Sequence, residues 1–198
     1  RLSHRTVLGT LEEKVVPAHT ALVVIDMQND FCASGGLVSR DGRDISPAQE
    51  LGKRLPALLD SARQAGVLMV FVRCLYTAEG NPYLSDVWLE QAARERKGGF
   101  TSIPVCREGE WEGDWYGDIR PAPGEIVVSK HRYDAFQGTD LDLVLRSHGI
   151  RTVVHVTRDG RECGRLSGDL GVGPAGVRVL EHCQGLRHLA AIDGDLHR

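Results

Sequence analysis

The chain has 198 residues, 41% hydrophobic and 26% charged, enough apolar material for the core of a single domain over residues 1–198. A formal net charge of -3 and a pI near 6.3 exclude a global basic field, so neither nucleic acid nor an anionic membrane surface is an expected partner. No apolar run approaches the roughly 20 residues that span a bilayer. Arg1-Leu2-Ser3-His4 lacks a signal-peptide core, and five cysteines without a short-spaced framework point to reduced thiols in a cytoplasmic protein.

Residues 1–20 hold few apolar side chains and read as an N-terminal arm ending at Pro17-Ala18-His19-Thr20. The run Ala21-Leu22-Val23-Val24-Ile25 then stops at a carboxylate, Asp26. An apolar run without alternation suits a parallel strand covered on both faces, and such sheets place ligand sites beyond the carboxyl ends of their strands. An aspartate there often only caps the following turn, so Asp26 alone is weak evidence.

Gly35-Gly36 and the polar residues 39–44 form a loop, and Ser46-Pro47-Ala48-Gln49 predicts a capping box with proline at the first helical position. Leu51, Leu55, Leu58, Leu59 and Ala62 recur at helical spacing until Gly66, with Pro56 either kinking this helix or starting its main part. Residues 67–72 form the second predicted strand. Strand, helix and strand in succession predict a right-handed βαβ unit and a parallel sheet.

Residues 73–123 show little periodicity beyond a short predicted helix at 86–95. Loops this long in a compact domain are usually functional. The aromatic Trp111, Trp115 and Tyr116 in it are equally suited to lining a pocket or to plugging the surface or an oligomer interface. A third predicted strand, 125–130, ends at Lys130. Thr139 is placed to cap a helix carrying Leu141, Val144 and Leu145 up to Gly149. Strand four, 150–156, is followed by Cys163, so three strand ends carry an acid, an amine and a thiol.

A thiol needs a nearby cation or helix N-terminus to lower its pKa and a base to take its proton. Asp26 and Lys130 supply those functions for Cys163, with backbone N–H groups beside the cysteine receiving the oxyanion. A buried cysteine is more commonly a small hydrophobe, and a strand-end lysine commonly reaches solvent, so the evidence is the combination.

Val23-Val24-Ile25-Asp26-Met27-Gln28-Asn29-Asp30-Phe31 and Val128-Ser129-Lys130-His131-Arg132-Tyr133-Asp134-Ala135-Phe136, continued by Gly138-Thr139-Asp140-Leu141 and Leu145-Arg146-Ser147-His148-Gly149-Ile150, resemble the isochorismatase-like cysteine hydrolases. That superfamily includes N-carbamoylsarcosine amidase, nicotinamidase, ureidoacrylate and biuret amidohydrolases, and isochorismatase itself. The resemblance runs from about residue 20 to residue 156. It implies an α/β fold, a three-layer α-β-α arrangement of Rossmann-like topology around a mostly parallel sheet of about six strands, assembled into dimers or tetramers. It also implies a catalytic triad of Asp26, Lys130 and Cys163.

Beyond Val156 the family pattern fails. The family approaches its cysteine through a glycine and small residues, whereas here Asp159 and Glu162 put negative charge beside Cys163, and the glycine-rich run after it suits a helix poorly. Residues 157–198 are therefore atypical. Divergence is one explanation. A shifted reading frame is another, since codons for Asp159-Gly160-Arg161-Glu162-Cys163 read in a neighbouring frame can spell a small, Ala- and Thr-rich run ending in Asn-Val. Cys183 is the fallback nucleophile.

The metal motif of nicotinamidases after strand two is absent, since that region reads Arg73-Cys74-Leu75-Tyr76-Thr77-Ala78-Glu79, and no Cys or His pair has zinc spacing. No metal and no nucleotide cofactor are expected. The expected substrate is a small amide or ureide, with Asn29, Phe31, Trp115, Tyr133 and Phe136 as candidate pocket walls; helix packing explains Tyr133 and Phe136 equally well. The rival readings are a vinyl-ether hydrolase using Asp26 without a nucleophilic cysteine, and an inactive scaffold.

Overall fold

A computed structural model describes residues 8–76, 83, 85–87, 90, 105–158 and the backbone of 177–181. Its elements are a short helix α1 (Leu11–Lys14), β1 (Thr20–Ile25), two single-turn helices α2 (Asn29–Cys32) and α3 (Leu37–Arg40), the long helix α4 (Ser46–Gln64), β2 (Leu68–Cys74), β3 (Ile126–Lys130), α5 (Leu141–Ser147), β4 (Thr152–Thr157) and β5 (Val177–Glu181). The strands form one sheet in the order β3-β2-β1-β4-β5.

The sheet is parallel through β3, β2, β1 and β4, and only β5 pairs antiparallel, to β4. An antiparallel edge on an otherwise parallel sheet is common. The described residues thus hold five strands where about six were expected.

Every residue of β1 is buried, as its unbroken apolar run requires of a strand covered on both faces. Its side chains divide by parity. Ala21, Val23 and Ile25 join Val70, Val72, Val128 and the α5 residues Leu141 and Leu145 on one face. Leu22 and Val24 join Met69, Phe71 and the α4 residues Ala48, Leu51, Leu55 and Leu59 on the other. One helix on each face gives the three-layer arrangement, with the apolar positions of α4 and α5 at the expected spacing.

Two local expectations need revision. Ser46 is the first helical residue of α4, not its cap, and the carboxylate of Asp44 accepts the Ser46 N–H at 2.9 Å. An aspartate two residues upstream accepts the Ser46 N–H, which a Ser-x-x-Gln capping box would have given to the Gln49 side chain. Of the two readings of Pro56, that it starts the main part of the helix is set aside, because the helix begins at Ser46 and runs through Pro56 to Gln64. Gly66, at φ 74°, closes it with Val67 N–H donating to Ala62 O at 3.0 Å. The predicted helix at 86–95 falls largely outside the described residues.

Candidate active site

Parity along β1 would aim Asp26 at the face of Leu22 and Val24, while Lys130 shares the face of Val128. The chain resolves this by leaving the extended conformation: Asp26 sits at φ 56°, a left-handed backbone that costs a non-glycine residue about 1–3 kcal/mol. Its N–H still donates to Val72 O at 2.9 Å, so the departure occurs at the last bond of the β1–β2 ladder. The carboxylate then reaches Lys130, whose Nζ lies 3.0 Å from Asp26 Oδ2.

Both side chains are withdrawn from water, Lys130 being 3% and Asp26 14% exposed. Lys130 Nζ also donates to Arg132 O at 3.2 Å. Asp26 Oδ1 is buried and has no hydrogen-bond partner among the described residues. A buried carboxylate with one oxygen held by an ammonium and the other available is suited to take a proton from an incoming group.

Two residues absent from the sequence-based candidates build the surroundings. Gln28, fully buried, donates from Nε2 to Cys74 O and Gly113 O and accepts the Cys74 N–H on Oε1, each at 2.8 Å. Asp30, also fully buried, accepts the Leu37 N–H at 2.9 Å and the Cys106 N–H at 2.7 Å, with Arg40 at 3.8 Å. The sequence signals for both are their place in the motif that follows β1 and their polar character directly after a buried strand, neither of which names their partners.

The loop carrying Trp111, Trp115 and Tyr116 pairs with the segment after Asp26. Residues 28 and 115 form an antiparallel bridge, and Tyr116 N–H donates to Met27 O at 2.9 Å. Gly113 fits here because a Cβ would lie 2.3 Å from Arg107 O. Asn29 is drawn into the same junction, its Nδ2 donating to Trp111 O at 2.9 Å. Trp115 is buried edge-on against Phe71, with ring centroids 5.6 Å apart and the Arg73 guanidinium 6.0 Å from its ring. Phe31 lies under the Arg158 guanidinium at 4.4 Å, just past the end of β4.

Phe136 packs against the core cluster of α5, and Tyr133 is mostly exposed. The structure therefore joins Asp26 to Lys130, and Asn29 to the loop that carries Trp115. Cys163 and Cys183 lie outside the described residues. The described cysteines, Cys32, Cys74 and Cys106, are buried and form no disulfide with one another. Burial, followed by the Cys74 thiol it bonds and the charges of Asp26 and Asp30, pushes the Cys106 thiol well above its usual range. That keeps it protonated and a poor nucleophile. No group of three His, Cys, Asp or Glu residues among those described is arranged to hold a metal ion, and no described helix is long and apolar enough to cross a membrane.

Residues 20–156 match the family model of the isochorismatase domain. The chain belongs to the isochorismatase family. The match ends where the sequence pattern breaks, at Val156. A ureidoacrylate amidohydrolase, RutB, from Agrobacterium fabrum is 36% identical over 146 residues, covering 71% of this chain and 64% of that protein. The chain thus spans less than two thirds of the length of that family relative. An N-carbamoylsarcosine amidase structure from Thermoplasma acidophilum superposes with a TM-score of 0.52 at 27% identity, covering 70% of this chain and 66% of that one. A cysteine hydrolase from Pseudomonas syringae pv. phaseolicola 1448A, at TM-score 0.58 and 23% identity over 73% of this chain and 61% of that one, shares the isochorismatase-like fold.

Proposed function

We propose that this chain is a hydrolase of C–N bonds in small amides or ureides, with Asp26 as proton acceptor, Lys130 as the cation that holds and orients it, and Cys163 as nucleophile. The observation that carries the reading is the buried Lys130–Asp26 contact of 3.0 Å at the carboxyl ends of two parallel strands, β3 and β1, that flank β2. The amidohydrolase names of the relatives support the bond type. In this scheme the thiol proton passes to Asp26 as sulfur bonds to the substrate carbonyl carbon. The C–N bond then breaks and the amine leaves with the proton from Asp26. Water adds to the thioester carbon and sulfur departs as the thiol.

Asn29, Phe31, Trp115, Tyr133 and Phe136 belong to this proposal as the substrate's surroundings, and a homo-oligomer in the cytoplasm as its setting. The family match ending at residue 156 makes Cys163 the part of the triad most in need of a direct test. Ammonia release from a panel of small amides and ureides, ureidoacrylate among them, should fall at least about 10³-fold for both Cys163→Ala and Asp26→Asn. Full activity of Cys163→Ala would defeat covalent catalysis by this sulfur and favour an Asp26-only mechanism. An intact mass matching residues 1–198 would remove the reading-frame explanation of the atypical tail.

A further inference from the structure

We infer that Gln28 is the positioning residue of the Asp26–Lys130 pair, its carboxamide replacing the peptide group that β1 stops supplying when the chain turns at Asp26. Strand pairing between β1 and β2 runs in register to Ile25 and Val72, and the last ladder bond is Asp26 N–H to Val72 O. A continuing parallel strand would next have taken the Cys74 N–H and C=O. With Asp26 at φ 56° the backbone has left the sheet, and two buried peptide groups would be orphaned. The Gln28 side chain accepts the first and donates to the second, each at 2.8 Å.

The same residue holds both members of the pair. Gln28 N–H donates to Asp26 O at 2.9 Å, which closes the turn that carries the carboxylate. Cys74 is the register partner of Lys130, and Leu75 N–H donates to Lys130 O at 3.1 Å, so clamping Cys74 fixes the end of β3. The remaining amide hydrogen goes to Gly113 O at 2.8 Å and ties in the loop that carries Trp115. The site thus calls for one acceptor and two donors in a planar group. Glutamate offers no donor when ionised, and methionine fills the volume without bonding.

The test compares wild type with Gln28→Met and Gln28→Glu. Crystal structures of the variants should show Lys130 Nζ and Asp26 Oδ2 separated beyond hydrogen-bond distance, about 3.5 Å. With ureidoacrylate as substrate, kcat should fall about 10²-fold while KM stays near the wild-type value, as expected for misplacement of the reacting groups. The kinetic arm rests on the hydrolase reading and the structural arm does not. A wild type inert toward ureidoacrylate therefore counts against that substrate while the variant structures still decide the positioning role. A folded Gln28→Met that keeps the 3.0 Å contact overturns the inference, as does one with unchanged kcat. Should neither variant fold, hydrogen exchange in the wild type decides: the Cys74 amide should be as protected as those of β1, and exchange at the rate of an open loop would overturn the clamp.

Discussion

At the amino end of the sheet, polar groups are settled close by in sequence: Thr20 Oγ1 donates to Val16 O and Lys14 O, and His19 Nε2 meets Glu13 O, spans of four to six residues. At the carboxyl end, Gln28 reaches across 46 and 85 residues and Asp30 across 76. The ion pairs differ in the burial of the cation. In Arg63–Glu125, beside the start of β3, Arg63 is 29% exposed, whereas in Lys130–Asp26 the lysine is 3% exposed; the two carboxylates, at 13% and 14%, are alike. At the amino end His19 and Arg63 keep a solvent alternative when a partner is lost, although Thr20 does not. The groups at the carboxyl end do not, because buried polar atoms leave their full desolvation cost when orphaned.

The strongest way to break this contrast is to remove one buried charge. Asp26→Ala strands Lys130 and should destabilise the fold by about 3–5 kcal/mol in urea denaturation, most of it recovered in the Asp26→Ala/Lys130→Met double variant. Additive losses in the double would show that the two groups are not coupled. Asp30→Ala comes next, leaving the Leu37 and Cys106 N–H groups without their acceptor, for an expected loss of about 2–4 kcal/mol. Equal stability would mean that water reaches both.

Glu125→Gln sharpens the other side of the comparison, with a loss of about 1 kcal/mol or less at pH 7. The hydrogen bond from Arg63 holds the Glu125 carboxyl below its ordinary 4.5, so its contribution is complete above that value and fades as pH falls through the lower folded one. Melting temperatures of wild type and Glu125→Gln should therefore converge in acid, and a gap that persisted would remove the ion pair as its source. The smallest effect belongs to Asp142→Ala, which opens the exposed Arg146 pair at 45% and 47% exposure and should change stability by under about 0.5 kcal/mol. A larger loss by thermal melting would mean that exposed pairs here are not screened.

Much of the fold was legible because it follows local rules. Unbroken apolar runs marked β1 to β4, helical spacing marked α4 and α5, and the residues at two strand ends proved to be a bonded pair. Gln28 and Asp30 were not legible, since their partners are peptide groups, which carry no residue signature and are brought near only by the sheet. The same reason hid the Asp44 cap and the pairing of the 111–116 loop with the segment after β1.

What the amino-acid order determined by itself was the layering and the presence of an acid and an amine at the carboxyl ends of buried strands, because burial and periodicity are properties of neighbours along the chain. Whether those two groups meet was decided by the tertiary structure. Alternation would have placed Asp26 and Lys130 on opposite faces, and only the left-handed turn at Asp26, with β2 and β3 held in register beside it, brings a carboxylate and an ammonium into contact away from water.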